Sequence, residues 1–300
     1  MALGWLILGL CFAADQSVLA EIDGTPITTK QLQLELALQG ATGDVSEQVR
    51  AAAIETLIER ALVERFLARR KTEASDERLA IAVAAAKEAL AANGVDGIDE
   101  QLLSKHLALP LAWRQYVRRV VTDRQIRDYY ANHTRELDGT RLRVSQIFLK
   151  YSEGEDQNAA PETTERLTTI QESISSKPST FAEAAQAHSE APTAKSSGDV
   201  GWIGPQGGLP ADVTSAAYKL DVGEVSDVIL TPFGAHLVTV TEIDPGNLSL
   251  EDARPTIIAE LSRKLWNETV AQERAMAEIH ISGRESGETG DRGSRETSGG

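Results

Sequence analysis

The spacing of apolar residues changes period at Arg141, and this break divides the 300-residue chain into parts that need different architectures. Before it, side chains recur at helical steps. From Ser46 to Arg70 the set Ile54, Leu57, Ile58, Ala61, Leu62 and Phe66 falls three and four residues apart, leaving Arg50, Glu55, Glu59 and Arg69 for solvent. Asp76 to Asn93 is rich in Ala and is stopped by Gly94. Pro110 suits a first helical turn and predicts a helix over Leu111–Val121, and Thr122-Asp123-Arg124-Gln125 then opens another through Tyr129, Tyr130 and His133. Nearer the start, Val18 to Ile22 and Asp23-Gly24-Thr25-Pro26 read as a short extended piece and a turn. Leu32, Leu34, Leu36 and Leu38 alternate as a strand would, but the capping pattern Thr28-Thr29-Lys30-Gln31 favours a helix.

From Arg141 the period is two. Leu142, Val144, Gln146, Phe148 and Lys150 alternate with Arg143, Ser145, Ile147, Leu149 and Tyr151, as expected of a strand inside a small sheet. Helices are predicted over Glu162–Ser176 and Phe181–His188, a strand over Val200–Ile203, and a helix from Leu209 or Pro210 to Leu220. Two strands follow, Val225–Leu230 and Ala235–Ile243, joined by Thr231-Pro232-Phe233-Gly234. The order β-α-α-β-α-β-β makes an α+β domain of about 105 residues, an ordinary domain size. Leu250 to Ile281 then reads as one helix too apolar to stand alone, packed most simply on the N-terminal helices. The last stretch, 282–300, has almost no aliphatic side chain with which to offset its ordering entropy and is expected to be a disordered tail. The domain expectation is 1–20 for export or membrane targeting, 21–135 helical, 140–244 α+β, and 248–281 a returning helix.

Composition removes several function classes. Thirty Lys+Arg against 45 Asp+Glu leave a net charge of -15, which opposes a sequence-independent grip on nucleic acid. A single Cys rules out a disulfide scaffold or a thiolate metal centre, and His106, His133, His188 and His280 show no ligand spacing. Gly198, Gly201, Gly204 and Gly207 recur every third residue, but with no Gly-Lys-Ser/Thr they predict a tight loop and not a phosphate cradle. Ser189 lacks the partners of a nucleophile, and Trp202 is expected in the core.

The run Leu3 to Ala13 is uncharged and too short to cross a bilayer as a helix. It reads as the apolar region of an export signal cleaved after Ala13 or Ala14, with a lipid or uncleaved anchor and a buried N-terminal segment as the other readings. Any membrane association would run through this anchor alone.

Five fragments in order carry a family resemblance: Phe181 to Ser189, Pro192 to Lys195, Gly198 to Trp202, Gly223 to Ser226, and Phe233-Gly234-Ala235-His236. Together they resemble the parvulin family of peptidyl-prolyl cis-trans isomerases, and the flanking helices resemble those of the periplasmic chaperone SurA and the foldase PrsA. The resemblance implies isomerisation of X–Pro bonds in unfolded or extended polypeptides, without a cofactor or metal. It implies a catalytic set of His236, Gln146 and Thr231, and a substrate cup formed by Leu209, Val213, Phe233 and Ala191, with Glu190 beside it. Gln146 stands where the family usually has His, Ala191 where Cys or Asp is usual, Leu209 in place of Met and Val213 in place of Phe. These departures keep open an alternative, a non-catalytic holdase whose parvulin-like part only binds extended chains.

Overall fold

The computed structural model describes residues 17–282, apart from 42, 44, 96 and 159. The expected export segment up to residue 16 and the expected tail from 283 lie outside the described residues. The described residues form two compact units, one drawn from 17–122 and 260–282, the other Asp123–Ala259.

In the first unit, β1 (Val18–Ile22) and β2 (Thr25–Thr28) form a hairpin whose turn places Asp23 and Gly24 at positive φ. Thr28 then caps α1 (Thr29–Leu38): its N–H donates to Gln31 Oε1 at 2.7 Å, so the capping pattern prevails over the alternating leucines. The helices α2 (Glu47–Arg69), α3 (Asp76–Ala92) and α4 (Glu100–Val120) follow. Pro110 lies inside α4 and does not open it; the cap is Asp99, whose carboxylate accepts from the Gln101 and Leu102 N–H groups. The proline deprives the His106 carbonyl of its helical donor, and the Arg60 guanidinium donates to that carbonyl instead.

The expected C-terminal helix over 250–281 is shorter. It ends at Arg274 as α10 (Leu250–Arg274), and β7 (Ile279–Ile281) pairs antiparallel with β1 as a third strand, giving the order β2-β1-β7. The part of α10 within the first unit is held tightly: the Trp113 indole N–H donates to Ser262 Oγ at 2.9 Å, and Trp113 meets Trp266 edge-on at 5.2 Å. Glu273, only 2% exposed, is paired with Arg65 at 3.2 Å and with Arg69.

The second unit begins earlier than the expected boundary near 135. Helices α5 (Asp123–Asn132) and α6 (Thr134–Leu137) belong to it, because Arg135 donates to the Leu220 carbonyl and to Asp221, while Tyr130 donates to the Leu248 carbonyl. The elements that follow are β3 (Arg141–Leu149), α7 (Pro161–Ser175), α8 (Phe181–His188), β4 (Asp199–Ile203), α9 (Ala211–Ala217), β5 (Ile229–Thr231) and β6 (Gly234–Asp244). The fold is α+β, and the antiparallel sheet has the order β4-β3-β6-β5. Period two in β3 sorts its side chains onto opposite faces. Leu142 and Val144 join Val213, Ala217 and Tyr218 in one core cluster, whereas Ile147 and Leu149 join Leu167, Ala184 and Ala185 in the other.

Two expectations need correction here. Of the strand expected over Val225–Leu230, only Ile229–Thr231 makes a ladder; Val225 touches Thr239 through an isolated bridge, and Ser226 Oγ accepts the Val238 N–H at 3.0 Å. Ser226 keeps one backbone bond, from its N–H to the Val238 carbonyl at 2.9 Å, and its side chain takes the place of the return bond. Trp202 is 43% exposed on an edge strand, with the Arg141 guanidinium 5.6 Å from its ring centroid, and is not in the core.

Candidate active site

Gln146 and Phe148 continue the row that Leu142 and Val144 begin, so they emerge on the same face of the sheet beyond the core cluster. Phe148 stands directly opposite His236 on β6, and the two rings lie 4.8 Å apart between centroids. The turn Thr231-Pro232-Phe233-Gly234 closes this corner. Gly234 has φ +147, and a Cβ there would strike the Leu149 carbonyl oxygen and the Phe148 ring, so only glycine lets the turn lie against β3.

His236 is 4% exposed and hydrogen-bonded through both ring nitrogens, Nδ1 to Gln146 Oε1 at 3.3 Å and Nε2 to Thr231 Oγ1 at 3.2 Å. With an amide oxygen facing Nδ1, that nitrogen carries the proton and Nε2 accepts from the Thr231 hydroxyl, an assignment that rests on the partners. The one proton of that hydroxyl is divided between Nε2 and the Gly234 carbonyl at 3.0 Å, while its oxygen accepts the Phe233 N–H at 3.2 Å. Thr231 thus ties the imidazole to the turn. Burial pushes the His236 pKa down to about 4, so the ring is neutral at physiological pH.

These residues line one side of an open cleft of about 590 Å³. Gln146, Phe148, Ala191, Leu209, Phe233 and His236 all contribute, together with Pro192, Pro210 and the Gln206-Gly207-Gly208 loop. Leu209 packs against the core cluster from the side of α9. Phe233 is 71% exposed at the opening. None of the lining residues carries a formal charge.

Two residues assigned to the cup lie elsewhere. Val213 is fully buried in the cluster with Leu142, Val144 and Val238, since a valine side chain on α9 ends inside the core. Glu190 is turned toward β3, where its carboxylate accepts the Lys150 N–H at 3.1 Å and lies 3.8 Å from Arg166. The structure adds residues that the sequence reading passed over. Phe148 supplies an aromatic wall, a role its place in the alternating row with Gln146 could have signalled. Ser189, dismissed as a nucleophile, accepts the N–H groups of Phe148 at 3.1 Å and Ala191 at 3.3 Å and so pins the strand to the loop.

Residues 147–242 match the rotamase family model, described as a PPIC-type PPIase domain. This segment is a parvulin domain. The match takes in Phe148, Ala191, Leu209, Thr231, Phe233 and His236, while Gln146 stands just before its start. Among similar proteins, the foldase protein PrsA of Geobacillus sp. (strain WCH70) is 36% identical over 123 residues, 41% of this chain and 38% of that protein. A putative peptidyl-prolyl cis-trans isomerase, NifM of Azotobacter vinelandii, is 29% identical over 138 residues, 46% of this chain and 47% of that protein. The matched region thus spans less than half the length of either relative. A crystal structure of PrsA from Bacillus cereus aligns with 90% of this chain and 95% of its own, with 20% identity and a TM-score of 0.45.

Proposed function

We propose that this chain is an exported folding factor that isomerises X–Pro bonds in unfolded or extended polypeptides of the cell envelope. The observation that carries the reading is that Gln146 and His236, hydrogen-bonded to each other and backed by the buried Thr231, lie on the wall of an uncharged, largely apolar cleft. Rotation about an X–Pro bond makes and breaks no covalent bond, yet amide resonance sets a barrier of about 18–20 kcal/mol and the unaided event takes tens to hundreds of seconds or so. A catalyst therefore needs only to bind the twisted amide more tightly than either planar form. Leu209, Phe148 and Phe233 offer the proline ring an apolar seat, and the polar set offers fixed dipoles that need no reorganisation as the amide twists. Chemistry of this kind calls for no metal or redox group. Export is supported by the uncharged run Leu3 to Ala13.

A second reading, a holdase without catalysis, draws support from the place of Ala191, which lines the cleft without a polar group, while Glu190 beside it is engaged elsewhere. A prolyl-peptide isomerisation assay on the wild type and on His236→Ala separates the two. Turnover that falls with the substitution supports the enzyme; no turnover in the wild type, with suppression of client aggregation intact, supports the holdase.

A further inference from the structure

We infer that Tyr151, which does not line the cleft, is a positioning residue for the imidazole that does: its phenol O–H holds the Thr231 carbonyl and so fixes the hydroxyl against which His236 Nε2 rests. The inference deepens the isomerase reading above and rests on it. Gln146 and Phe148 face the cleft, whereas Tyr151, just past the end of β3, packs with the opposite row of that strand. Its ring lies against the cluster that contains Ile147, Leu149, Leu167 and Ala235. From that far side of the sheet its O–H reaches the Thr231 carbonyl at 2.5 Å. Thr231 is buried and turns its two polar groups to different partners, the carbonyl to Tyr151 and the hydroxyl to His236 Nε2 at 3.2 Å. The phenol thus acts on the imidazole from behind, without touching a substrate.

The O–H is delivered from a fixed point. Ser152, next in the chain, donates its N–H to Glu155 Oε2 at 3.1 Å and to Thr163 Oγ1 at 3.2 Å, and Glu155 accepts the Glu162 N–H at 2.7 Å in the first turn of α7. Burial holds the Tyr151 pKa above its ordinary value, and the Asp156 and Glu155 carboxylates act in the same direction, so the phenol keeps its proton at neutral pH. Thr231 needs such a tie. Two of the partners of its hydroxyl, the Gly234 carbonyl and the Phe233 N–H, belong to the turn itself and move with it. The β5–β6 ladder adds only three residue pairs, and the exposed Phe233 ring is where an arriving peptide would press on the turn. The Tyr151 bond joins that turn to the end of β3 and, through Ser152 and Glu155, to α7.

Tyr151→Phe keeps the ring and removes only the O–H. In the purified full chain, nitrogen NMR reads the His236 ring, and exchange of a prolyl tetrapeptide gives kcat and KM. The Nε2 signal should move toward that of an imidazole nitrogen with no donor, and kcat should fall about fivefold, the size of one neutral hydrogen bond, with KM within about twofold of wild type. Ile170→Val thins the same cluster but leaves the bond in place; it should change neither readout, which separates positioning from packing. In a Thr231→Val background, Tyr151→Phe should bring no further loss, because the hydroxyl through which it acts is gone. An Nε2 signal unmoved by Tyr151→Phe, a loss of kcat equalled by Ile170→Val, or a full loss in the Thr231→Val background overturns the inference. Should the wild type fail to speed exchange, the isomerase reading fails by itself. The Nε2 signals of the same variants need no turnover and then decide the positioning role.

Discussion

Acidification offers the sharpest test of how the site is built. His236 has its pKa lowered from 6.5 to about 4 by burial alone, so between those values the unfolded chain holds a proton that the folded chain does not. The unfolded state is therefore favoured progressively as pH falls through this window: the contribution of His236 is complete above about pH 6.5, shrinks down to about pH 4, and changes no further below that. At about 1.36 kcal/mol per pH unit the gap corresponds to about 3 kcal/mol, a sizeable part of an ordinary domain's stability. Urea denaturation at pH 7.5, 6.5, 5.5 and 4.5 measures it, with His236→Gln as the variant that cannot titrate. His106, on α4, is also pushed down to about 4, by burial and then by Arg60, and acts in the same direction. The difference between wild type and His236→Gln removes that contribution. The wild type should lose about 3 kcal/mol more than the variant across the window, and a proton NMR titration should find the His236 ring still neutral at pH 5.5. Isomerase kcat/KM should stay flat from pH 6 to 8. A ring that titrates near 6.5, or a His236-dependent inflection in activity there, refutes the claim that a desolvated neutral imidazole lines the cleft.

Two other substitutions test the frame around the site and the helical unit. Glu273→Ala removes the buried carboxylate that Arg65 and Arg69 share, while Arg65 keeps Asp23 and Arg69 keeps part of its water; a loss of about 3 kcal/mol is expected in chemical denaturation. A loss below about 1 kcal/mol would mean that the ion cluster is solvated like a surface pair. Gly234→Ala places a methyl group against the Leu149 carbonyl and the Phe148 ring at a φ that disfavours any side chain, so stability should fall by about 2 kcal/mol or more and the Phe148–His236 NMR contacts should weaken. Unchanged stability would show that the turn does not press on β3.

What could be read in advance follows physical range. The strand through Gln146, the helices α7 and α8, and the turn at Thr231–Gly234 are local: period two, a capping box and a Pro-Gly pair each act within a few residues. The three residues of β7 are too few for their pattern to speak, and they form a strand only because β1 offers an edge. Pro110 misled because a proline inside a helix needs its orphaned carbonyl satisfied from elsewhere, and Arg60 lies 50 residues away in sequence. Trp202 misled for the opposite reason, since aromatic character says nothing about whether a strand lies at the edge of its sheet. Family resemblance located the cleft, yet it placed Val213 by position where burial depends on side-chain length.

The displaced positions are connected. With Val213 withdrawn into the core and Ala191 contributing only a methyl group, the aromatic surface of the cleft comes from Phe148 on β3 and Phe233 on the turn, both beside His236. The polar side is equally altered: Gln146 cannot titrate, and His236 is kept neutral by burial. No group in the lining can then exchange a proton with the substrate at neutral pH, and none is needed, because amide rotation transfers none. What this arrangement can supply is preferential binding of the twisted amide, through dipoles held by Thr231 and a wall of rings that excludes water, with an outcome that depends on apolar contact more than on pH.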